Sequence, residues 1–172
     1  MNRTPIRIRY FTWDQWIPLN ILMNARLAED AGIVLDPDDI PEEPEDTPEG
    51  SPEWDTDHID QVYLSGSGGF WLAWHGDKPV GNVGAQDLGG VVELRRMYVL
   101  PEYRRQGVGT LLVCTLIRHC RMAGARAIEV WTAFDGPGRH LYRRLGFRQV
   151  AGRGPEFEQA LQREEMRLRL DL

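Results

Sequence analysis

Val99-Leu100-Pro101-Glu102-Tyr103-Arg104-Arg105-Gln106-Gly107-Val108-Gly109-Thr110 runs from the end of a strand, through a short loop with two arginines, into two glycines that open a helix. The start of a helix offers free backbone N–H groups and the positive end of the macrodipole, which together attract anions. Glycine lets a phosphate approach the backbone closely, and neighbouring arginines add charge-assisted hydrogen bonds. A dinucleotide fingerprint needs a third glycine three residues after the second, and Leu112 stands there. A nucleoside-triphosphate loop needs Gly-Lys-Ser/Thr, and no lysine lies near. The other glycine cluster, Gly66-Ser67-Gly68-Gly69, precedes a strand and reads as a turn.

Outward from this segment, Ile6-Arg7-Ile8-Arg9-Tyr10 alternates apolar and basic residues and predicts a half-buried strand. Trp13, Trp16, Ile17, Ile21 and Leu27 recur at helical spacing, which makes them the expected inward stripe, with Asn20 and Asn24 on the same face. Pro18 falls near the start of that helix, where it is tolerated, and Gly32 stops it. Leu35–Asp57 predicts an acidic, proline-rich loop, and His58–Leu64 a short helix. Gly69–His75, the turn Gly76-Asp77, Pro79–Ala85 and Val91–Leu100 predict a three-stranded meander. In the last strand Leu94 and Met97 are apolar three apart and Val99 follows, so alternation slips by one residue, as at a β-bulge. Gly107–Met122 is the strongest helix, with Val108, Leu111, Leu112, Thr115 and Leu116 on one face and Gly124 as its stop. Ala127–Ala133 predicts a strand, Pro137–Leu145 a short helix closed by Gly146, and Arg163–Leu172 a final strand. The pattern is that of an α/β protein, read as one domain over residues 1–172.

A chain of 172 residues, 42% hydrophobic, can bury a core of its own. A mean hydropathy of -0.42, with no apolar run near the roughly 20 residues of a spanning helix, argues against a membrane protein. Met1–Pro5 lacks an apolar leader, so a cytoplasmic location is expected. Cys114 and Cys120 lie roughly 9 Å apart along one helix, too far to bridge. His58, His75, His119 and His140 show no ligand spacing, so no metal is expected.

Charge is uneven: Leu27–Leu94 holds 17 acids and one base, Lys78, against 19 arginines and 9 acids in the rest. An acidic segment is thus set into a basic body suited to an anionic ligand. The Leu35–Asp57 segment cannot bury enough apolar surface to fold by itself and is expected to order only where Trp54 finds a pocket. It reads as a solvated loop or as an attractor for a cationic acceptor. The arginine-rich body lacks aromatics interleaved on a basic strand, so nucleic acid is not expected as a partner.

Arg104-x-x-Gly107-x-Gly109 matches the arginine/glutamine-x-x-glycine-x-glycine signature of the GNAT superfamily of N-acetyltransferases. Glu93-Leu94-x-Arg96-Met97-Tyr98-Val99-x-Pro101 resembles the family's preceding strand, and Leu141-Tyr142-x-x-Leu145-Gly146-Phe147 its late helix and turn. The three pieces stand in the family's order and spacing across Val91–Val150. The resemblance implies a single-domain acyl-CoA N-acyltransferase fold, its mixed central sheet splayed between the fourth and fifth strands and flanked by helices. It implies acetyl-CoA as co-substrate, with pyrophosphate on the backbone amides of Arg105, Gln106, Gly107, Val108, Gly109 and Thr110, beside Arg104. The pantetheine arm would pair along Met97, Tyr98 and Val99. The implied reaction moves an acetyl group to a primary amine of a small molecule or peptide by direct attack in a ternary complex. The alternative is a non-catalytic acyl-CoA-binding module of the same fold. Oligomeric state stays open, a homodimer included.

In that chemistry Tyr142 is the candidate general acid, since amine attack on a thioester expels a thiolate that a phenol can protonate. Glu93 is the candidate base for the amine, directly or through a water. The alternatives are a packed tyrosine, and a strand glutamate paired with Arg95 or Arg96. Asp135 stands where similar sequences often carry a cofactor-contacting asparagine, and Gly138 where alanine is common. Both are departures. Arg139, Arg143 and Arg144 are further candidates for phosphate contact, or solvated surface.

Overall fold

The computed structural model describes residues 5–34, 36, 38, 40–152 and 155–172. In chain order it has β1 (Ile6–Tyr10), a 3₁₀ turn at Trp13–Gln15, α1 (Trp16–Ala31), α2 (Trp54–Asp57), α3 (Ile59–Val62), β2 (Gly69–His75), β3 (Lys78–Asp87) and β4 (Val91–Val99). A second 3₁₀ turn at Pro101–Tyr103 leads to α4 (Val108–Met122), β5 (Ala127–Ala133), α5 (Pro137–Arg144), β6 (Arg148–Gln149), α6 (Pro155–Gln162) and β7 (Glu165–Asp171). The strands form one mixed sheet in the order β1-β2-β3-β4-β5-β7-β6. The short helix α6 had no signal beyond the turn-forming Gly-Pro before it.

Two irregularities in the sheet matter for function. The parallel ladder between β4 and β5 joins only Val91, Val92 and Glu93 to Ala127, Ile128 and Glu129. Beyond it, β4 runs on to Val99 and β5 to Ala133 without pairing each other, so the sheet opens toward the C-terminal ends of both strands. The second is the bulge. Asn82 pairs with Tyr98 but Gly84 pairs with Arg95, so β4 carries one residue more than β3 across this stretch. Arg96 takes up the difference with φ +51, which for a side chain other than glycine costs about 1–2 kcal/mol. The slipped alternation expected from Leu94, Met97 and Val99 is therefore a real bulge.

Helices cover both faces. Gly81 lies against Leu112 of α4, whereas Gly84, on the other face three residues along, lies against Tyr63, which follows α3. In α4 the buried side chains are Val108, Leu112, Val113, Leu116 and Cys120, while Leu111 is exposed, a rotation of the expected stripe. The correction in α1 is larger. Trp16, Leu19 and Leu22 face the core, and Trp13, Ile17, Ile21 and Leu27 are exposed. The helix is apolar on both sides, so the pattern alone could not show which side the sheet takes. No helix among the described residues is long and apolar enough to cross a membrane.

Candidate active site

The parallel strands β4 and β5 end on the same side of the sheet, and the loops that follow them meet there. Arg104–Gly107 are exposed. Arg105 and Gly107 have φ +61 and φ +87, left-handed values on either side of Gln106. Such a change of hand turns successive N–H groups into an anion-binding concavity. The first helical bond of α4 runs from the Leu111 amide to the Gly107 carbonyl at 2.9 Å, so Val108, Gly109 and Thr110 present amides with no intrahelical acceptor. A Cβ on Gly109 would stand 3.1 Å from Met97 Cε and 3.3 Å from Leu141 Cδ2. The glycine thus lets the start of α4 pack directly on the bulged strand and on α5. Gly109, Met97 and Leu141, one from each of the three segments, thus meet at one point.

Arg104 has a different position from the one its motif suggests. Its Nη1 and Nη2 donate to Glu29 of α1 at 2.7 and 2.6 Å, and its Nε to the Val99 carbonyl at 2.9 Å. The Tyr98 hydroxyl also donates to Glu29, at 3.1 Å. The Arg104 guanidinium holds the Glu29 carboxyl below its usual range, and burial, then Glu29, pushes Tyr98 up to about 12. Arg104 is therefore a brace between α1 and the loop, and Val99 has its carbonyl already engaged. Arg96 and Met97 have no partner in the β3 register, and of the two the Arg96 carbonyl is taken by the Asn82 side chain.

Tyr142, in α5, is buried against Phe147, with ring centroids 5.6 Å apart. Burial pushes its pKa well up, partly opposed by Arg26 of α1, so the phenol holds its proton. A Cβ on Gly138 would stand 3.2 Å from the Tyr142 ring and 3.0 Å from Thr132 Oγ1, which accounts for glycine at that departure. Asp135 is exposed in the turn leading into α5; Arg143 and Arg144 are exposed too, and Arg139 donates to the Phe134 carbonyl at 2.7 Å.

Glu93 sits where the β4–β5 ladder ends, opposite Glu129. Burial raises its pKa; Arg95 opposes this, and Glu156, Glu129 and Asp55 add to it. The pairing of Glu93 with Arg95 or Arg96 is not what the structure has. Arg95 donates to Gln86 at 3.0 Å and Arg96 to Asp55 at 2.9 Å. From Glu129 to Thr132, which Gly138 and Tyr142 approach, is three residues of strand, roughly 10 Å. Glu93 and Tyr142 therefore stand at different depths of the opening.

The acidic segment is not a free loop. The Trp16 indole donates to the Pro41 carbonyl at 2.9 Å, Thr47 donates to Asp57 at 2.8 Å, and Trp54–Asp57 is helical. Asp55 is buried and accepts hydrogen bonds from Arg96 and Tyr63. Burial alone would raise its pKa, but Arg96 outweighs it and holds the carboxyl low. Between this segment and α1 lies a cleft of about 500 Å³. Asn20 and Asn24 line it, half-buried, together with Glu45, Glu53, Asp57 and Arg96. Burial raises the pKa of Asp57, and Glu45 and Glu53 push it the same way. Sequence reasoning missed Glu29, Asp55 and Asn82, because each acts through a partner 40 to 75 residues away or across the sheet, which no local pattern reveals. Among the described residues, no group of three or more His, Cys, Asp or Glu side chains is placed to hold a metal ion.

The acetyltransferase (GNAT) family model matches residues 36–147. An uncharacterised N-acetyltransferase of Methanocaldococcus jannaschii is 30% identical over 89 residues, 47% of this chain and 39% of that protein. The chain thus spans about two fifths of that relative's length. An acetyltransferase of the GNAT family from Staphylococcus aureus superposes with a TM-score of 0.73 at 22% identity, covering 98% of this chain and 99% of that one. The PaiA N-acetyltransferase of Thermoplasma acidophilum, solved in complex with coenzyme A, gives 0.67 at 15% identity over 98% and 99% of the two chains. At these identities the solved structures show a shared fold.

Proposed function

The chain belongs to the GNAT acetyltransferase family, and from that premise we propose that it moves an acetyl group from acetyl-CoA to a primary amine by direct attack in a ternary complex. The observation that carries the reading is the opening between β4 and β5 beyond Glu93 and Glu129, with the amide-presenting start of α4 at its mouth. The residues present fit acetyl-CoA. The amides of Arg105–Thr110 suit its pyrophosphate, the exposed left-handed loop leaves them accessible, and the backbone of Met97, which has no ladder partner on β3, suits its amide-bearing arm. The solved PaiA relative with coenzyme A supports the same co-substrate.

In the proposed reaction Glu93 accepts a proton from the ammonium form of the acceptor, through water, because its raised pKa places a carboxylate base nearer neutral pH. The free amine then attacks the thioester carbonyl; the C–N bond forms, the C–S bond breaks, and the proton that the nitrogen sheds passes through water to restore the Tyr142 phenol. Tyr142, kept protonated by burial, gives its proton to the departing thiolate. The acceptor enters through the cleft between α1 and the acidic segment, where Glu45, Glu53 and Asp57 favour a cationic amine. The test is release of free thiol from acetyl-CoA in the presence of a panel of primary amines, including polyamines and lysine peptides. Amine-dependent release supports the reading. Tight coenzyme A binding without release turns the protein into the acyl-CoA-binding module instead.

A further inference from the structure

Arg96 belongs to two parts of the molecule at once. Its backbone is the extra residue of the β4 bulge, at φ +51, and its carbonyl accepts a hydrogen bond from the Asn82 amide, whose other atom, Oδ1, is buried without a partner. Its side chain points the other way, into the acidic segment. There Nε donates to Asp55 at 2.9 Å, Nη2 donates to Asp55 and to the Pro52 carbonyl, and the same carboxylate accepts from Tyr63. Asp55 is 4% exposed, and Arg95 stands 3.8 Å from it as a second cation. An arginine left to itself avoids a left-handed backbone. Two contacts bear on it: Asn82 holds its carbonyl, and the only charged group in contact with its guanidinium among the described residues is Asp55.

We propose that Asp55 is a positioning residue for the acyl-CoA site. Through the side chain of Arg96 it pins the left-handed residue that makes the bulge, and so sets the backbone of Met97, which has no ladder partner on β3. The acidic segment that walls the amine cleft thereby also sets coenzyme affinity on β4. The inference rests on the acetyl-CoA reading above for its functional consequence, but the pin itself is a property of the strand.

The test compares the unaltered chain with Asp55→Asn, Arg96→Gly and the double variant, using coenzyme A as the calorimetric probe. Amide hydrogen exchange at Arg95 and Tyr98, the paired residues on either side of the bulge, is followed without coenzyme. Asp55→Asn is expected to weaken coenzyme A binding about tenfold and to speed exchange at both amides. Glycine adopts φ +51 without strain, so adding Arg96→Gly to Asp55→Asn should recover most of the affinity and the slow exchange. A residue needed only for general stability would give no such rescue. Parent-like affinity and exchange in Asp55→Asn overturn the proposal, as does a double variant no better than Asp55→Asn. If Asp55→Asn does not fold, Arg96→Lys, which keeps the charge but loses the forked contact, must show the same loss and faster exchange. If the unaltered protein fails to bind coenzyme A, the function falls, and the exchange pattern still decides the pin.

Discussion

Replacing Gly107 by alanine isolates the geometry of the phosphate loop. An added Cβ meets nothing within 4 Å, so the whole effect comes from the backbone at φ +87. Holding alanine there costs about 1–2 kcal/mol. For a domain of this size that lowers Tm by about 2–8 °C. The strained residue can instead relax, which rotates the peptide leading into Val108 and withdraws an amide from the anion. A hydrogen bond to a charged group contributes about 1.5–3 kcal/mol, so coenzyme A affinity should fall by about tenfold or more. Gly124→Ala is the control. That residue closes α4 at its far end with φ +83, and its Cβ also meets nothing within 4 Å. It should lose similar Tm with coenzyme affinity intact. Differential scanning fluorimetry and isothermal titration with coenzyme A read both quantities. Equal Tm losses with no change of affinity in Gly107→Ala would refute the reasoning that the loop's amides read the pyrophosphate.

Tyr142→Phe keeps the buried ring and should lower kcat about 10²- to 10⁴-fold with little change in the KM for acetyl-CoA, measured by thiol release. The acid limb of kcat/KM should lie above the ordinary glutamate value of 4.5 and disappear in Glu93→Gln, because burial favours the protonated form of Glu93. The same shift makes Glu93 a source of stability below pH 4.5 that is lost as pH rises through its folded value, whereas Asp55, with a lowered pKa, stabilises above 3.8 and loses this as pH falls through its own. Thermal melts across pH 3–8 of the parent, Glu93→Gln and Asp55→Asn separate the two signs. Neutralising the cleft by Glu45→Gln, Glu53→Gln and Asp57→Asn should reduce kcat/KM for a polyamine more than for a neutral monoamine, and flatten its salt dependence.

The strands and the α4 helix were legible because their periodicity is local, and the slipped alternation between Leu94 and Val99 announced the bulge. The site segments were legible for the same reason: glycines and arginines cluster around one helix start. What stayed hidden depends on distant partners. The inward face of α1 could not be read, since Trp13, Ile17 and Ile21 are as apolar as the Trp16, Leu19 and Leu22 that the sheet buries. The acidic segment looked unable to fold because its composition says nothing of Arg96, whose charge lets Asp55 be buried. The motif reads Arg104 as a phosphate neighbour, and nothing local signals its ion pair with Glu29, 75 residues earlier in the chain.

Acetyl transfer itself is tested most directly by mass spectrometry of the amine products formed with acetyl-CoA, in parallel with the thiol released. The expected result is one acetyl group gained by a cationic primary amine for each thiol freed, slowed about 10²- to 10⁴-fold by Tyr142→Phe and never passing through an acetylated protein. Thiol release without an acetylated amine, or an acetyl-enzyme that goes on to acetylate the amine, contradicts it.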